Sequence, residues 1–311
     1  MPADGHLHHR HRHGPEAAAG DRRLALAVAV NLLLTLLQIA GGVIAGSLAL
    51  VADAVHNLSD ALSLAIALLA RRITRWPAHH GMTFGYGRAE LVAALVNLTT
   101  LVAIGLYLVA EALVRLVAPP PIDGWMVVWV AAVALAVDLA TALLTHRLAR
   151  TSVNVRAAFL HNVADALGSL AVIVAGAAAL LWQLAIVDPL VTLLIAGYIL
   201  VHAGRDTVPV VRMLMGGTPA EIELAHIEQD LLAIPGVRGV HHLHVWALAE
   251  HELSLEAHIV IPEVSPARME AIKAEAKRML RERWGIAHTT LEMEFEGEVS
   301  ACEEYRLVAP H

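Results

Sequence analysis

The chain has 311 residues, 57% of them hydrophobic and 16% charged, with a net charge of −7 and a mean hydropathy of +0.61. That is too apolar for an ordinary soluble domain. The single cysteine, Cys302, excludes a disulfide framework and any zinc site built from several thiolates, and is not itself expected to bind metal.

Residues 1–20 carry HLHHRHRHG, lack a pattern for a core, and are expected to form a disordered tail. Its clustered imidazoles suit either zinc capture or no role at all. The apolar core of a secretory signal is not visible there. Six apolar runs of membrane length follow, near 24–46, 47–70, 91–118, 125–146, 155–182 and 184–204. About twenty residues at 1.5 Å rise cross the hydrocarbon layer. GGVIAGS joins the first two into a tight hairpin.

Charge predicts the orientation. Arg10, Arg12, Arg22 and Arg23 precede the first span. Arg71, Arg72, Arg75 and Arg88 follow the second, Arg147, Arg150 and Arg156 lie between the fourth and fifth, and Arg205 and Arg212 end the sixth. The opposite loops carry only Arg115. The positive-inside rule then puts both termini in the cytoplasm, for a multi-pass protein of the inner membrane.

From about residue 213 the chain reads as soluble. Residues 213–311 hold 17 Asp and Glu against 8 Lys and Arg, a net −9, while the first 212 residues sum to +2. An acidic domain concentrates cations and repels nucleic acid. Its pattern predicts a helix over 218–234 capped by Thr218, strands over 237–248 and 252–261, an amphipathic helix over 265–284 and a strand over 288–296. Two helices on three strands make a small α+β sandwich. The expected domains are therefore the tail at 1–20, a six-helix transmembrane bundle at 21–212, a cytoplasmic α+β domain at 213–300 and a C-terminal tail at 301–311.

Two stretches 105 residues apart are nearly alike: HNLSDALSL at 56–64 and HNVADALGSL at 161–170. Positions i and i+4 share a helix face, so His56 projects with Asp60 and His161 with Asp165. A carboxylate at mid-bilayer costs about 2.5–3.5 kcal/mol on the insertion scale. A divalent cation offsets that cost. Two imidazoles and two carboxylates supply four N/O ligands and two balancing charges, which suits tetrahedral Zn²⁺. Spans two and five run antiparallel, so facing pairs interleave His with Asp. The duller reading, each His and Asp pairing within its own helix, has to explain two matched motifs. Asn57 and Asn162 are read as hydrogen-bonding between helices. Asp53 and Asp138 are read the same way, with proton relay as the alternative.

With SLALVADAVHNLSD, FGYGRAE at 84–90, HNVADALGS, GVRGVHHLHVWAL and HTTLEME, the chain resembles the cation diffusion facilitators, exporters of zinc and related metals, over about 21–296. The resemblance implies six transmembrane helices, a cytoplasmic ferredoxin-like domain, a homodimer, and exchange of a cytoplasmic divalent metal for protons. It implies a transport site of His56, Asp60, His161 and Asp165, and His56 at its motif position implies zinc, with cadmium tolerated. Some members bind a second metal at a histidine where this chain has Tyr86; His79 and His80 lie nearby. The family's tail domain often binds metal between protomers, and the matching candidates are His241, His258, His288, Glu292 and Glu294, which otherwise are polar residues of edge strands. His244 reads as structural.

An exporter of Co, Ni, Fe or Mn is the nearest alternative. An intramembrane metalloenzyme lacks a general-base glutamate beside the ligands and an open coordination position. A channel needs weak, multiple sites. A metal sensor is an alternative for the tail.

Overall fold

A computed structural model describes residues 32–74, 76–146, 153–249, 252–297 and 307–308. The His-rich tail, the arginines at 10, 12, 22, 23, 75, 147 and 150, and Cys302 lie outside the described residues. The described chain forms two compact units, one of the residues up to Ala65 with Thr100–Val201, the other of Ile66–Thr99 with residues from His202 onward.

The first unit draws on helices α1 (Leu32–Ala45), α2 (Leu48–Thr74), α3 (Ala89–Val117), α4 (Gly124–His146), α5 (Val153–Trp182) and α6 (Val187–Leu214). α3 to α6 contain segments long and apolar enough to cross a membrane. α2 has the length, but Asp53, His56, Asn57 and Asp60 depress its hydropathy. α6 runs ten residues beyond the expected end at 204, through Pro209.

Leu33, Leu36, Leu37, Val43 and Ile44 of α1 and Leu106, Leu113, Val114 and Val117 of α3 are exposed, while alanines such as Ala49, Ala52, Ala112, Ala131 and Ala196 are buried. Large apolar side chains face outward, and inside, alanines pack beside buried Leu50, Leu108 and Ile199, so that backbones approach closely where lipid supplies no hydrophobic drive between helices. α4 and α5 meet through glycine on both sides. A Cβ on Gly124 would lie 2.5 Å from the Gly176 carbonyl oxygen, and one on Gly176 would lie 2.8 Å from Val127 Cγ1.

The α1–α2 hairpin turns at Gly46, which adopts φ 75°. Asp188 of α6 then caps α2 from across the bundle. Its Oδ2 accepts from the Leu48 amide at 2.8 Å, and its Oδ1 accepts from the Ser47 hydroxyl. The carboxylate thus satisfies amides that the first turn leaves unpaired and sits at the positive end of the helix dipole.

The second unit contains α7 (Leu224–Leu232), β1 (Gly239–Ala249), β2 (Glu252–Ile261), α8 (Pro266–Trp284) and β3 (His288–Phe295). The sheet order is β1-β2-β3, with β1 antiparallel and β2–β3 parallel through the α8 crossover. α7 is shorter than the pattern predicts. The chain around Pro219 closes a separate turn, with the Ile222 amide donating to the Pro219 carbonyl at 3.1 Å, and Glu223, not Thr218, stands at the N-cap. α8 begins as expected, with Ser265 accepting from the Arg268 amide and Pro266 in the first turn, and ends at Gly285 in the left-handed conformation. Ile227, Leu231, Leu243, Leu255, Ile259, Ile261, Ile272 and Leu280 form one buried core between helices and sheet. Asp230 ties the helices together, accepting from Trp284 Nε1 at 2.9 Å and pairing with Arg283 at 2.6 Å.

Candidate metal centres

In the first unit α2 and α5 bring His56, Asp60, His161 and Asp165 together. Nitrogen and oxygen alternate around the group. His56 Nε2 lies 3.3 Å from Asp165 Oδ1 and 3.8 Å from Asp60 Oδ2, and His161 Nε2 lies 3.2 Å from Asp60 Oδ2 and 3.5 Å from Asp165 Oδ2. One atom from each residue lies within 4.8 Å of all the others. For ligands about 2.1 Å from a zinc ion, a tetrahedron has edges of about 3.4 Å. The four N–O separations bracket that value. Asp165 is buried, and both Asp165 Oδ1 and Asp60 Oδ2 lack a hydrogen bond of good geometry while being shut off from solvent. Buried carboxylate oxygens without donors are costly unless a cation takes the donors' place.

Helical pitch explains why each pair projects together. The interleaving follows from how α2 and α5 face one another, His56 against Asp165 and His161 against Asp60. Tyr198 of α6 stands edge-on to the His56 ring at 5.7 Å between centroids. Behind His56, Gln38 of α1 donates to Asp53 Oδ2 at 3.0 Å and accepts from Asn57 Nδ2 at 3.3 Å. Asn57 therefore bonds a neighbouring helix. Gln38, Ser169 and Tyr198 escaped the sequence reading. A glutamine inside an apolar run, and a serine four residues beyond Asp165, were the available signals.

The second unit holds another group. His241 of β1 pairs directly with His258 of β2, and His258 pairs with Glu292 of β3. Glu294 is two residues further on the same face. His258 Nδ1 lies 2.7 Å from Glu294 Oε1, His258 Nε2 lies 3.4 Å from Glu292 Oε2, and His241 Nε2 lies 3.4 Å from Glu294 Oε2. His241, His258 and Glu294 are all buried and can present three ligand atoms to one ion. Burial pushes the His241 imidazole below its ordinary value, against the pull of Glu294, and so favours the neutral, metal-binding form.

A β-bulge between His241 and His244 carries His242 at φ 52°. The extra residue lets Val240 and Leu243 both enter the core. It also leaves His242 4.8 Å from the His258 ring. His288 lies apart from this cluster. It opens β3, six residues or about 20 Å of strand before Glu294, and its ring stacks edge-on against Phe84 at 5.8 Å. At the loop, His79 Nε2 and Tyr86 Oη are 3.0 Å apart, so Tyr86 occupies that imidazole, and His79 and His80 belong to neither group of metal-binding geometry among the described residues.

Apolar helices of membrane-spanning length around a His/Asp quartet whose ligand atoms could hold a metal ion define the class as polytopic membrane proteins. Two family models match in tandem: the cation efflux transmembrane domain over residues 24–215 and the cation efflux protein cytoplasmic domain over 219–296. The chain belongs to the cation diffusion facilitator family, whose members are transporters and not enzymes. Its fold is accordingly a six-helix transmembrane bundle followed by an α+β cytoplasmic domain.

Among its relatives is the metal cation efflux system protein CzcD of Cupriavidus metallidurans, 34% identical over 95% of this chain and 91% of that protein. The zinc transporter ZitB of Escherichia coli is 34% identical over 93% of each. A cadmium, cobalt and zinc/H(+)-K(+) antiporter of Bacillus velezensis is 30% identical over 92% and 91%.

Proposed function

We propose that this protein exports Zn²⁺ from the cytoplasm in exchange for protons, using His56, Asp60, His161 and Asp165 as the transport site. The observation that carries the reading is the alternating N–O ring with separations of 3.2–3.8 Å. Two neutral imidazoles and two carboxylates balance one divalent charge in a low-dielectric bundle. Cadmium or cobalt can enter the same donor set, and relatives named for those metals support the breadth.

Metal ligands must be deprotonated, so zinc binding and proton release are linked. With the site facing the cytoplasm, zinc displaces protons from the quartet. The bundle then rearranges and protons from the other side compete the metal off. The protonated, empty site returns, and the inward proton gradient sets the direction. A ring closed by four protein ligands leaves no position for a reacting water, in keeping with carriage instead of catalysis.

Both termini and the 213–300 domain lie in the cytoplasm of a bacterial cell, the bundle spans the inner membrane over 21–212, and the protein works as a homodimer. In the cytoplasmic domain His241, His258 and Glu294, with Glu292 at the rim, bind a regulatory metal ion. His288 is left out of that site.

The test is zinc uptake into inside-out vesicles under an imposed pH gradient, with H56D in parallel. Gradient-dependent accumulation, with the variant losing discrimination between zinc and other divalent metals, is the expected result. Zinc binding without gradient-dependent flux would overturn the exchanger reading.

A further inference from the structure

One hydroxyl beside the quartet is shared by two carboxylates. Ser169 Oγ of α5 lies 3.3 Å from Asp53 Oδ2 of α2 and 3.2 Å from Asp138 Oδ2 of α4. Ser169 is fully buried and Asp53 is 2% exposed. A serine hydroxyl has one proton to donate. If both carboxyls were ionised, one of these two contacts would be lone pair against lone pair in a desolvated site. A single proton on either carboxyl completes the chain, acid to hydroxyl to carboxylate, and the hydroxyl can reverse it without moving a heavy atom.

Among the described residues, no lysine or arginine is one of the groups acting most strongly on the pair, so none takes the place of that proton. α1 presents the neutral amide of Gln38, which donates to the same Asp53 oxygen. The charged or titratable groups acting most strongly on the pair are His56 on α2 and Asp165 and His161 on α5, while α4 presents Asp138 itself. The backbone of α5 passes close to the other Asp53 oxygen, since a Cβ on Gly168 would lie 2.9 Å from Oδ1.

Position ties the trio to the metal ligands. Asp53 precedes His56 by three residues on α2, and Ser169 follows Asp165 by four on α5. Each is one turn, about 5.4 Å, from a ligand on its own helix. A shift of α2 against α5 that changes the quartet is therefore felt at the Asp53–Ser169 contact, which joins the same two helices.

We propose that Asp53 and Asp138 share one exchangeable proton through Ser169, forming a proton-carrying site of the transport cycle that is separate from the metal ligands. The inference rests on the exchanger reading above. In the metal-free state the pair holds one proton and carries one negative charge. When zinc enters the quartet and α2 shifts against α5, the hydrogen-bonded chain breaks and the proton leaves to water. Loss of zinc restores the chain and takes one back.

The experiment compares purified full-length wild type with D138N. Protons released on zinc addition are counted in weakly buffered detergent, and zinc flux is measured in proteoliposomes under a pH gradient. D138N should keep its zinc Kd within about threefold, release about one proton fewer per zinc, and lose about tenfold in gradient-driven flux. S169A keeps both carboxyls but breaks the chain; its flux should shift its pH midpoint by about one unit at unchanged zinc affinity. Infrared difference spectra should show a carboxylic-acid C=O band in the wild type that D138N alters. If D138N and S169A both match wild type in proton count and pH midpoint, the shared proton is refuted while the exchanger stands. If wild type shows no zinc–proton exchange, the exchanger reading falls and this inference with it.

Discussion

Replacing Asp165 by asparagine separates the charge of the intramembrane quartet from its shape. Asp165 is 7% exposed, lies 3.3 Å from His56 and 3.5 Å from His161, and has one buried oxygen without a hydrogen bond. Asparagine matches its size, so the helices need not move. With zinc bound, the lost charge leaves the ion under-compensated. Breaking a buried ion pair costs about 3–5 kcal/mol, or roughly two to four decades in Kd. Without zinc the substitution removes a buried carboxylate that has only the His56 and His161 imidazoles beside it and whose Oδ1 takes no hydrogen bond, so the empty protein should keep most of its stability.

The contrast can be read by thermal unfolding in detergent, in an H258A background that silences the cytoplasmic cluster. At a zinc concentration of about 100 times the Kd of that background, binding stabilises by about 2.7 kcal/mol; a Kd raised about 200-fold leaves about 0.2 kcal/mol. D165N should therefore keep its metal-free melting temperature and lose nearly all of its zinc-induced shift. An unchanged zinc shift would remove Asp165 from the site. A lowered metal-free melting temperature would mean that Asp165 serves the fold and not the ion.

Asp188→Ala should cost about 1–3 kcal/mol, because the Leu48 amide and the Ser47 hydroxyl lose a buried acceptor; thermal unfolding in detergent reads it. Gly176→Val should cost about 1–3 kcal/mol or more by the same assay, since the first added carbon already meets Val127 at 2.8 Å and Val128 at 3.1 Å. For His241 the folded value is lowered, so below the ordinary 6.5 the unfolded chain binds the extra proton. Its contribution is whole above about pH 6.5 and is lost as pH falls below it. The urea midpoint of the cytoplasmic domain, followed through the fluorescence of Trp246 and Trp284, should decline on that side, and His241→Asn should flatten the decline.

Much of this protein was written locally in its sequence. Apolar runs set the helices, because in lipid the backbone must bond within its own segment. The i, i+4 spacing set which side chains share a face, so each His/Asp pair could be read from its helix alone. Strand alternation and the Ser265–Pro266 start gave the order of the cytoplasmic elements. Local pattern failed where one residue changed a periodicity. The bulge at His242 turns His241 and its neighbour to one side, and the turn at Pro219 delays α7 to Leu224.

What the tertiary structure decided is which faces meet. Facing helices α2 and α5 turn two pairs into one alternating ring. Glycine contact between Gly124 and Gly176 sets how closely α4 approaches α5, and so whether Asp138 can reach Ser169. Parallel pairing of β2 with β3 brings Glu292 and Glu294 to His258 and leaves His288 about 20 Å along the strand. None of these partners is near in sequence: Asp188 caps a helix 140 residues away, and Asp53 meets Ser169 across 116. Periodicity fixes the direction of a side chain relative to its own axis. Only packing fixes one axis relative to another, and both candidate metal centres and the proposed shared proton depend on that second relation.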